Sequence, residues 1–348
     1  MKFRCYERIK FPFRTYFLID PKVRFHNLSS RNKFLGSPTL ESKKKIHILL
    51  FLLTFFTLTY SDIFLNPQVP QTLENYKLMF FENWPYSTSL LFILLAHEMG
   101  HYLPARYYGV RATLPYFIPL PVGPIGTMGA VIQIKEPIPD KKILFDIGVG
   151  GPAASLFLSV IAWLVGISLS KVMEIPPGFD RSGFLFFGDS LFTYLTTQWI
   201  HGPIDFSTMD IQAHPLAKAG WVGLLITAVN LLPFGQLDGG HVIYSMFGEG
   251  YRKWIHRLFV LFLIFTLIHF TWLLWGFIIY FVVKVEHPFI RDSISGIGKF
   301  RFYFGLSMLV TFLIIFVPKP IILGSELNDS SLLTDIFRLI SDNIRLDL

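Results

Sequence analysis

Apolar segments of about membrane-crossing length recur along this chain and restrict its fold more than any other feature. A helix needs roughly 20 mostly apolar residues to cross the hydrocarbon core of a bilayer. Because lipid offers no hydrogen-bond partner to an open backbone, such segments fold as helices. Segment 255–283 is long for one crossing and short for two, so we expect a hairpin of two short helices there. The six candidates are 46–61, 87–103, 143–169, 219–232, 255–283 and 302–317.

The composition favours a membrane protein. Apolar residues make up 52% of the 348 residues and charged residues only 16%, against about 25% in ordinary soluble domains. So apolar a composition excludes a disordered chain. It also argues against a soluble enzyme, because a soluble fold could not bury so much apolar surface. The lone cysteine, Cys5, excludes an intramolecular disulfide and a cysteine-based metal cage. We predict an all-α polytopic membrane protein with about six or seven transmembrane helices.

The positive charge is concentrated at the N-terminus. Residues 1–45 hold 12 Lys and Arg but 3 Asp and Glu, whereas the other 303 residues hold 19 and 21. By the positive-inside rule this leading segment indicates a cytoplasmic N-terminus, and it gives no sign of a nucleic-acid partner. We expect a multi-pass protein of the bacterial cytoplasmic (inner) membrane, because the segment lacks the pattern of a signal or transit peptide. Contact between this segment and anionic lipid headgroups is an open alternative.

We expect three parts along the chain. A basic cytoplasmic segment (1–45) precedes a transmembrane domain (46–320), whose core is 87–250, and a C-terminal tail (321–348) follows. The sequence shows neither an internal repeat nor a soluble accessory domain. The lipid bilayer is therefore the first partner that the sequence implies.

Three ionisable side chains occur in a stretch of five residues inside the apolar segment 87–103. His97 and His101 are four residues apart, so on a helix both imidazoles project from one face and can bind one metal ion. Glu98 points about a quarter-turn away and can act as a base on water without displacing a ligand. Charges at membrane depth cost about 2.5–3.5 kcal/mol even on the mildest scale, which indicates function. The pattern predicts a metal centre; three buried polar groups with a structural role are the alternative.

A third ligand is expected from another apolar segment, because a catalytic zinc ion takes three protein ligands. Pro233 ends the helix of segment 219–232, and Asp238 follows in a short non-helical element between glycines. Non-helical backbone is tolerated at membrane depth only where it lines protein or a water-filled cavity. The charge pattern gives segments 87–103 and 219–232 the same direction, which brings the His pair and Asp238 to the cytoplasmic side.

These residues resemble the site-2 protease family of intramembrane zinc metalloproteases. The sequence is most similar to the plastid and cyanobacterial branch, and the PDZ or CBS domain of many members is not visible in it. The resemblance is strong over 87–250 and loose over 255–320. The stretches that carry it are 97–101 (HEMGH), 124–146 with GTMGA at 126–130, 148–155 (GVGGPAAS), 214–215, 220–221 and 230–239 (NLLPFGQLDG).

The resemblance implies an enzyme that hydrolyses peptide bonds within or near the transmembrane segments of membrane proteins or peptides. It assigns one zinc ion (Zn²⁺) per chain to His97, His101 and Asp238, and the role of catalytic base to Glu98. Asn230 matches a position that helps to hold the substrate or the oxyanion; an Asn bonded to the broken helix backbone is the alternative. Two other functions stay open: a zinc-binding membrane scaffold that does not cut (a pseudoprotease), and a membrane metal transporter.

The connection between the second and third apolar segments is expected to contain a re-entrant extended segment near the site. Residues 113–133 are rich in proline and glycine, and a short apolar run at 130–134 overlaps their end. An exposed strand edge there could pair with an unwound substrate. A plain cytoplasmic connector is the alternative.

Other polar and small residues are expected to have lesser roles. Asp146, in the first turn of the helix of 143–169, is expected to interact with the helix dipole. His241 is expected beside the ligands or on the cytoplasmic surface, and His287 near an interface without binding metal. Ser155 is one of several small residues that are expected to allow close helix packing.

Overall fold

The computed structural model describes residues 41–324, apart from 62, 64–69, 122, 177, 180, 182–184, 266–269 and 288–295. Most of the basic segment 1–45 and of the tail 321–348 therefore lies outside the described residues. Within them the protein is mostly helical, with three short two-stranded sheets.

The described helices and strands are numbered in chain order. A 3-10 turn at Gly248–Tyr251 joins α6 to α7, and a π turn at Ile279–Val283 extends α8. The α-helices are α1 (Glu41–Thr59), α2 (Leu73–Tyr107), α3 (Lys141–Leu169), α4 (Leu191–His201), α5 (Pro215–Asn230), α6 (Asp238–Phe247), α7 (Arg252–Phe265), α8 (Phe270–Ile278) and α9 (Lys299–Ile315). The strands are β1 (Tyr116–Pro119), β2 (Thr127–Val131), β3 (Lys171–Glu174), β4 (Leu185–Phe187), β5 (Met209–Gln212) and β6 (Ile321–Leu323).

A helix occupies each predicted apolar segment, and one of these helices begins earlier than expected. Helix α2 begins at Leu73 rather than at residue 87, and the Thr72 side chain caps it by accepting a hydrogen bond from the Asn75 N–H. Segment 255–283 forms the two helices α7 and α8. Ring contacts of Phe259 with Tyr280 and of Phe262 with Trp272 show that these helices pack antiparallel, as expected of a hairpin.

Helix α3 is the centre of the fold and packs against α2, α5 and α6. Among the described residues it is the one helix that is both long and apolar enough to cross a membrane, and Trp272–Val283 is a shorter apolar helix. Glycines allow its close packing. A Cβ on Gly100 would lie 2.3 Å from the Gly150 carbonyl oxygen, and a Cβ on Gly166 would lie 2.1 Å from the Ala217 nitrogen. Helices α2 and α5 are thereby held close to α3.

Strands β1 and β2 form an antiparallel hairpin along α1. Tyr116 pairs with Val131, and the ladder has an irregularity between Phe117 and Pro119. The His47 ring bonds to the Pro115 carbonyl, and the Thr57 hydroxyl donates to the Gly126 carbonyl. Those two contacts on α1 are ten residues apart, so the hairpin runs about 15 Å along that helix.

The other two sheets tie distant parts of the chain together. β3 pairs with β5, which joins the C-terminal end of α3 to the segment that leads into α5. β4 pairs with β6, which follows α9. Helix α4 lies between β4 and β5, and Ser190 caps it in a reciprocal pair with Thr193.

Candidate metal centre

Helix α2 supplies two imidazoles and a carboxylate to one buried site. His97, Glu98 and His101 are each exposed by 4% or less. The Nε2 atoms of the two histidines lie 3.2 Å apart, and the rings meet edge-on with 4.8 Å between centroids. This is the geometry that the four-residue spacing predicts for one helix face.

Asp238 completes the cluster from the start of α6. Its Oδ2 lies 3.3 Å from His97 Nε2 and 3.4 Å from His101 Nε2. The sequence placed Asp238 in a non-helical element, but Asp238 is the first residue of a helix, and the break ends at Leu237. A Cβ on Gly239 would lie 2.0 Å from the Leu231 carbonyl oxygen, so the chain can return this closely to the end of α5 only with glycine there.

The hydrogen bond that Nδ1 of His101 makes determines that Nε2 of this ring faces the cluster as an acceptor. Its Nδ1 lies 2.7 Å from the Ile147 carbonyl oxygen, and a carbonyl only accepts. The proton therefore resides on Nδ1, and Nε2 presents a lone pair toward the Asp238 carboxylate. Metal-binding histidines usually make such a bond with the other ring nitrogen.

The donor set fits a zinc ion. The three ligand atoms of His97, His101 and Asp238 all lie within 4.8 Å of one another, and all three side chains are buried. Two neutral imidazoles and one carboxylate are a ligand set of catalytic zinc sites. Without a cation, buried lone pairs would face one another across this cluster.

Glycines of α3 leave the space that the imidazole ring requires. A Cβ on Gly151 would lie 2.1 Å from His101 Nε2. A Cβ on Gly148 would lie 2.8 Å from the Cβ of His241, which follows Asp238 by one helical turn. The small residues of α3 therefore shape the site as well as the helix packing.

Glu98 and Asn230 flank the cluster from two sides. The Glu98 carboxylate interacts with the Ile132 backbone just after β2, and it also lies close enough to His101 and Asp238 for electrostatic interaction. Asn230 is the last residue of α5, and its Nδ2 lies 3.4 Å from His97 Nε2. The structure thus brings all five predicted site residues into one place.

One nearby residue has contacts that the sequence did not indicate, and one expectation is corrected. The His287 side chain is buried, its Nε2 lies 2.7 Å from Nδ1 of the buried His241, and its ring stacks on Tyr244. Asp146 is not a partner of the helix dipole, because α3 begins at Lys141 and has no acidic residue in its first turn; Arg301 donates two hydrogen bonds to its carboxylate and Tyr108 donates one. The contact of His287 with His241 and the contacts of Asp146 join residues that are far apart in the sequence, and no local pattern indicates them.

Ser155 is a site neighbour that the sequence assigned only to helix packing. Its Oγ lies 2.9 Å from His97 Nδ1 and 2.9 Å from the hydroxyl of Thr227 on α5. Ser155 and Thr227 are both buried. A hydroxyl in each of two apolar segments of the sequence was the available signal.

The sequence matches a protease family and proteins named as probable zinc metalloproteases over the part that holds this site. Residues 85–274 match the family model described as Peptidase family M50. "Probable zinc metalloprotease EGY1, chloroplastic" of Oryza sativa subsp. japonica is 34% identical over 253 residues, which are 66% of this chain and 42% of that protein. The protein of the same name from Arabidopsis thaliana is 37% identical over 165 residues, which are 47% of this chain and 30% of that protein.

A third relative is named EGY2 instead of EGY1. "Probable zinc metalloprotease EGY2, chloroplastic" of Oryza sativa subsp. indica is 26% identical over 274 residues, which are 77% of this chain and 48% of that protein. The chain thus spans less than half the length of these curated relatives.

Proposed function

The chain belongs to peptidase family M50, the site-2 protease family, and on that premise we propose that it is an intramembrane zinc metalloprotease. It hydrolyses peptide bonds within or near transmembrane segments of membrane-protein substrates. The observation that carries this proposal is the convergence of His97, His101 and Asp238 within 4.8 Å, with Glu98 next to them. A scaffold that does not cut would not need Glu98, and a transporter would need a polar path through the helices.

The side chains of the cluster have separate tasks in this reaction. His97, His101 and Asp238 would hold one zinc ion, which when bound polarises the scissile carbonyl and makes water a stronger acid. Glu98 takes a proton from the attacking water and passes it to the leaving amine. Asn230 can donate an N–H to the oxygen that becomes negatively charged in the transition state.

The β1–β2 hairpin is where we propose that an unwound substrate binds. A helical substrate has its carbonyls in hydrogen bonds, so it must become extended before hydrolysis. Ile132, directly after β2, lies against Glu98, and a strand added at the edge of this hairpin would pass close to the catalytic base. The tip of the hairpin lies against Thr57 and Tyr86.

We also propose a multi-pass arrangement of about six or seven crossings, with the N-terminus in the cytoplasm and the hairpin re-entrant. The central apolar helix α3 and the membrane-protease family support it. The parts would be the basic segment 1–45, the protease domain 46–320 and the tail 321–348. The sequence favours a bacterial cytoplasmic membrane, whereas the relatives are named chloroplastic; a plastid membrane is therefore the alternative compartment.

The proposal is tested with the purified full chain in detergent and a panel of tagged single-span model substrates. Wild type should cleave within the span and hold about one zinc ion per chain. Glu98→Gln should keep the zinc ion and lose cleavage, and Asp238→Asn should lose or weaken zinc binding. Glu82→Gln is the matched control, because Glu82 is an exposed glutamate of the same helix.

Two results would contradict the proposal. Folded wild-type protein without bound metal would remove the zinc site. Cleavage by Glu98→Gln at the rate of Glu82→Gln would remove the role of Glu98. Stoichiometric zinc with no cleavage of any substrate would favour the scaffold.

A further inference from the structure

A chain of hydroxyl groups connects Nδ1 of His97, the ring nitrogen that points away from the cluster, to the backbone of α5. His97 Nδ1 faces Ser155 Oγ at 2.9 Å, and Ser155 Oγ faces Thr227 Oγ1 at 2.9 Å. Thr227 Oγ1 in turn lies 2.7 Å from the Gly223 carbonyl oxygen. All three side chains are buried, so water competes little for these hydrogen bonds.

The direction of each hydrogen bond follows from the last acceptor. The Gly223 carbonyl can only accept, so the Thr227 hydroxyl donates its one proton there. Thr227 Oγ1 then accepts from Ser155 at 2.9 Å, and the carbonyls of Gly151 and Pro152 are further acceptors for Ser155, so in each arrangement the Ser155 proton points away from His97. The Ser155 proton is thereby used, and Ser155 Oγ accepts from His97 Nδ1–H.

We propose that Ser155 and Thr227 are positioning residues, which hold the proton of His97 on Nδ1 and so keep its Nε2 free to bind the metal. His97 Nε2 then presents a lone pair toward Asp238 Oδ2 at 3.3 Å, as His101 does from its own side. The two histidines use different supports: a carbonyl of α3 for His101 and a hydroxyl chain for His97. This inference rests on the proposed zinc site and adds the residues that orient one of its ligands.

Ser155 matters more than Thr227 in this arrangement. Without the Thr227 hydroxyl, Ser155 can still donate to the carbonyl of Gly151 at 3.2 Å or of Pro152 at 3.3 Å, and it can still accept from His97. Without the Ser155 hydroxyl, His97 Nδ1–H loses its acceptor. Partners of this kind typically contribute about 10- to 100-fold to metal affinity.

The chain contains a matched control for Ser155. Ser159 lies one helical turn further along α3 and is also fully buried, but its Oγ has no hydrogen-bond partner among the described residues. Ser159→Ala therefore removes the same atom from the same helix at the same burial without touching a metal ligand.

The experiment compares the full-length wild type with Ser155→Ala, Thr227→Val and Ser159→Ala in detergent. The zinc Kd is measured by competition with a chelator, and the ligand geometry by the absorption spectrum of the Co²⁺-loaded protein. Ser155→Ala should weaken zinc binding about 10- to 100-fold and change the Co²⁺ spectrum. Thr227→Val should have a smaller effect in the same direction, and Ser159→Ala should match the wild type. Excess zinc should restore cleavage by Ser155→Ala, because Ser155 acts through the metal and not on the substrate.

The outcomes separate this inference from the proposed function. If the wild type binds zinc and Ser155→Ala has the Kd and spectrum of Ser159→Ala, the positioning role is refuted while the zinc site stands. If the folded wild type binds no metal, the proposed function fails and this inference fails with it. Should Ser155→Ala not fold, Ser155→Gly, which also removes the hydroxyl, decides: weaker zinc binding supports the role and wild-type binding overturns it.

Discussion

Gly151→Ala should separate the metal site from the stability of the fold. The added Cβ would lie 2.1 Å from Nε2 and 2.4 Å from Cε1 of His101, whereas ordinary contact begins at 3.4 Å. The atoms in conflict belong to a side chain, so the ring can move away while the helices stay. It must move by about 1 Å or more, and metal ligands tolerate only about 0.2 Å.

The expected result is a folded protein with an impaired site. Zinc affinity should fall by about 100-fold or more, since a ligand is displaced and its bond to the Ile147 carbonyl is strained. Cleavage should fall by a factor on the order of 100 at limiting zinc. The assays are chelator competition for zinc, cleavage of a single-span substrate, and the unfolding temperature Tm of the detergent-solubilised protein.

Two other glycines serve as comparisons. Gly166 is also in α3, but its Cβ would meet the backbone of α5, so Gly166→Ala should lower Tm while zinc stays bound. Gly250 has nothing within 4 Å of an added Cβ, and Gly250→Ala should change neither zinc binding nor Tm. If Gly151→Ala bound zinc and cleaved as the wild type does, the assigned packing of His101 against α3 would be wrong.

Three shorter predictions concern other parts of the molecule. Burial raises the pKa of Asp189 to about 6, above the value of about 3.9 in an unfolded chain. The stability from its protonated form is therefore complete below about pH 4 and lost as the pH rises through 6, so Asp189→Asn should raise Tm at pH 8 but not at pH 4. Arg301 donates two hydrogen bonds to Asp146, and a third hydrogen bond, from Tyr108 to Asp146, raises the pKa of Tyr108. Arg301→Ala should lower the free energy of unfolding by about 1–3 kcal/mol in denaturant titrations. Arg301→Lys cannot form the paired contact and should recover only part of that loss. Asn230→Ala should reduce kcat by about 100-fold with zinc content unchanged, and loss of zinc instead would assign Asn230 to the metal cluster.

Local spacing was sufficient for the part of the site on α2. The positions of His97 and His101 fix their shared helix face, because four residues make slightly more than one turn. The length of the apolar segments likewise indicated where helices lie. The start of α2 was missed because residues 73–86 include Glu74, Lys77 and Glu82, which made this stretch look like a connection outside the membrane.

The element that carries Asp238 shows where local rules fail. Gly239 and Gly240 disfavour a helix by their own propensity, so the sequence indicated a loop. In the structure both lie in α6, and an added Cβ would lie 2.0 Å from the Leu231 carbonyl oxygen at Gly239 and 2.5 Å from the Gly235 carbonyl oxygen at Gly240. Close tertiary contact, not local preference, selects glycine here.

The sequence by itself determined a mostly helical chain, the histidine pair with its neighbouring glutamate, and Asp238 as the candidate third ligand, since these follow from hydrophobic length, helical spacing and the resemblance of short motifs. Only the tertiary structure decided what supports these groups: Ser155 and Thr227 behind His97, the Ile147 carbonyl behind His101, and the space left by Gly151. The physical reason is distance along the chain. A hydrogen bond between residues 58 or 72 positions apart depends on how three helices pack, and no local periodicity encodes that packing.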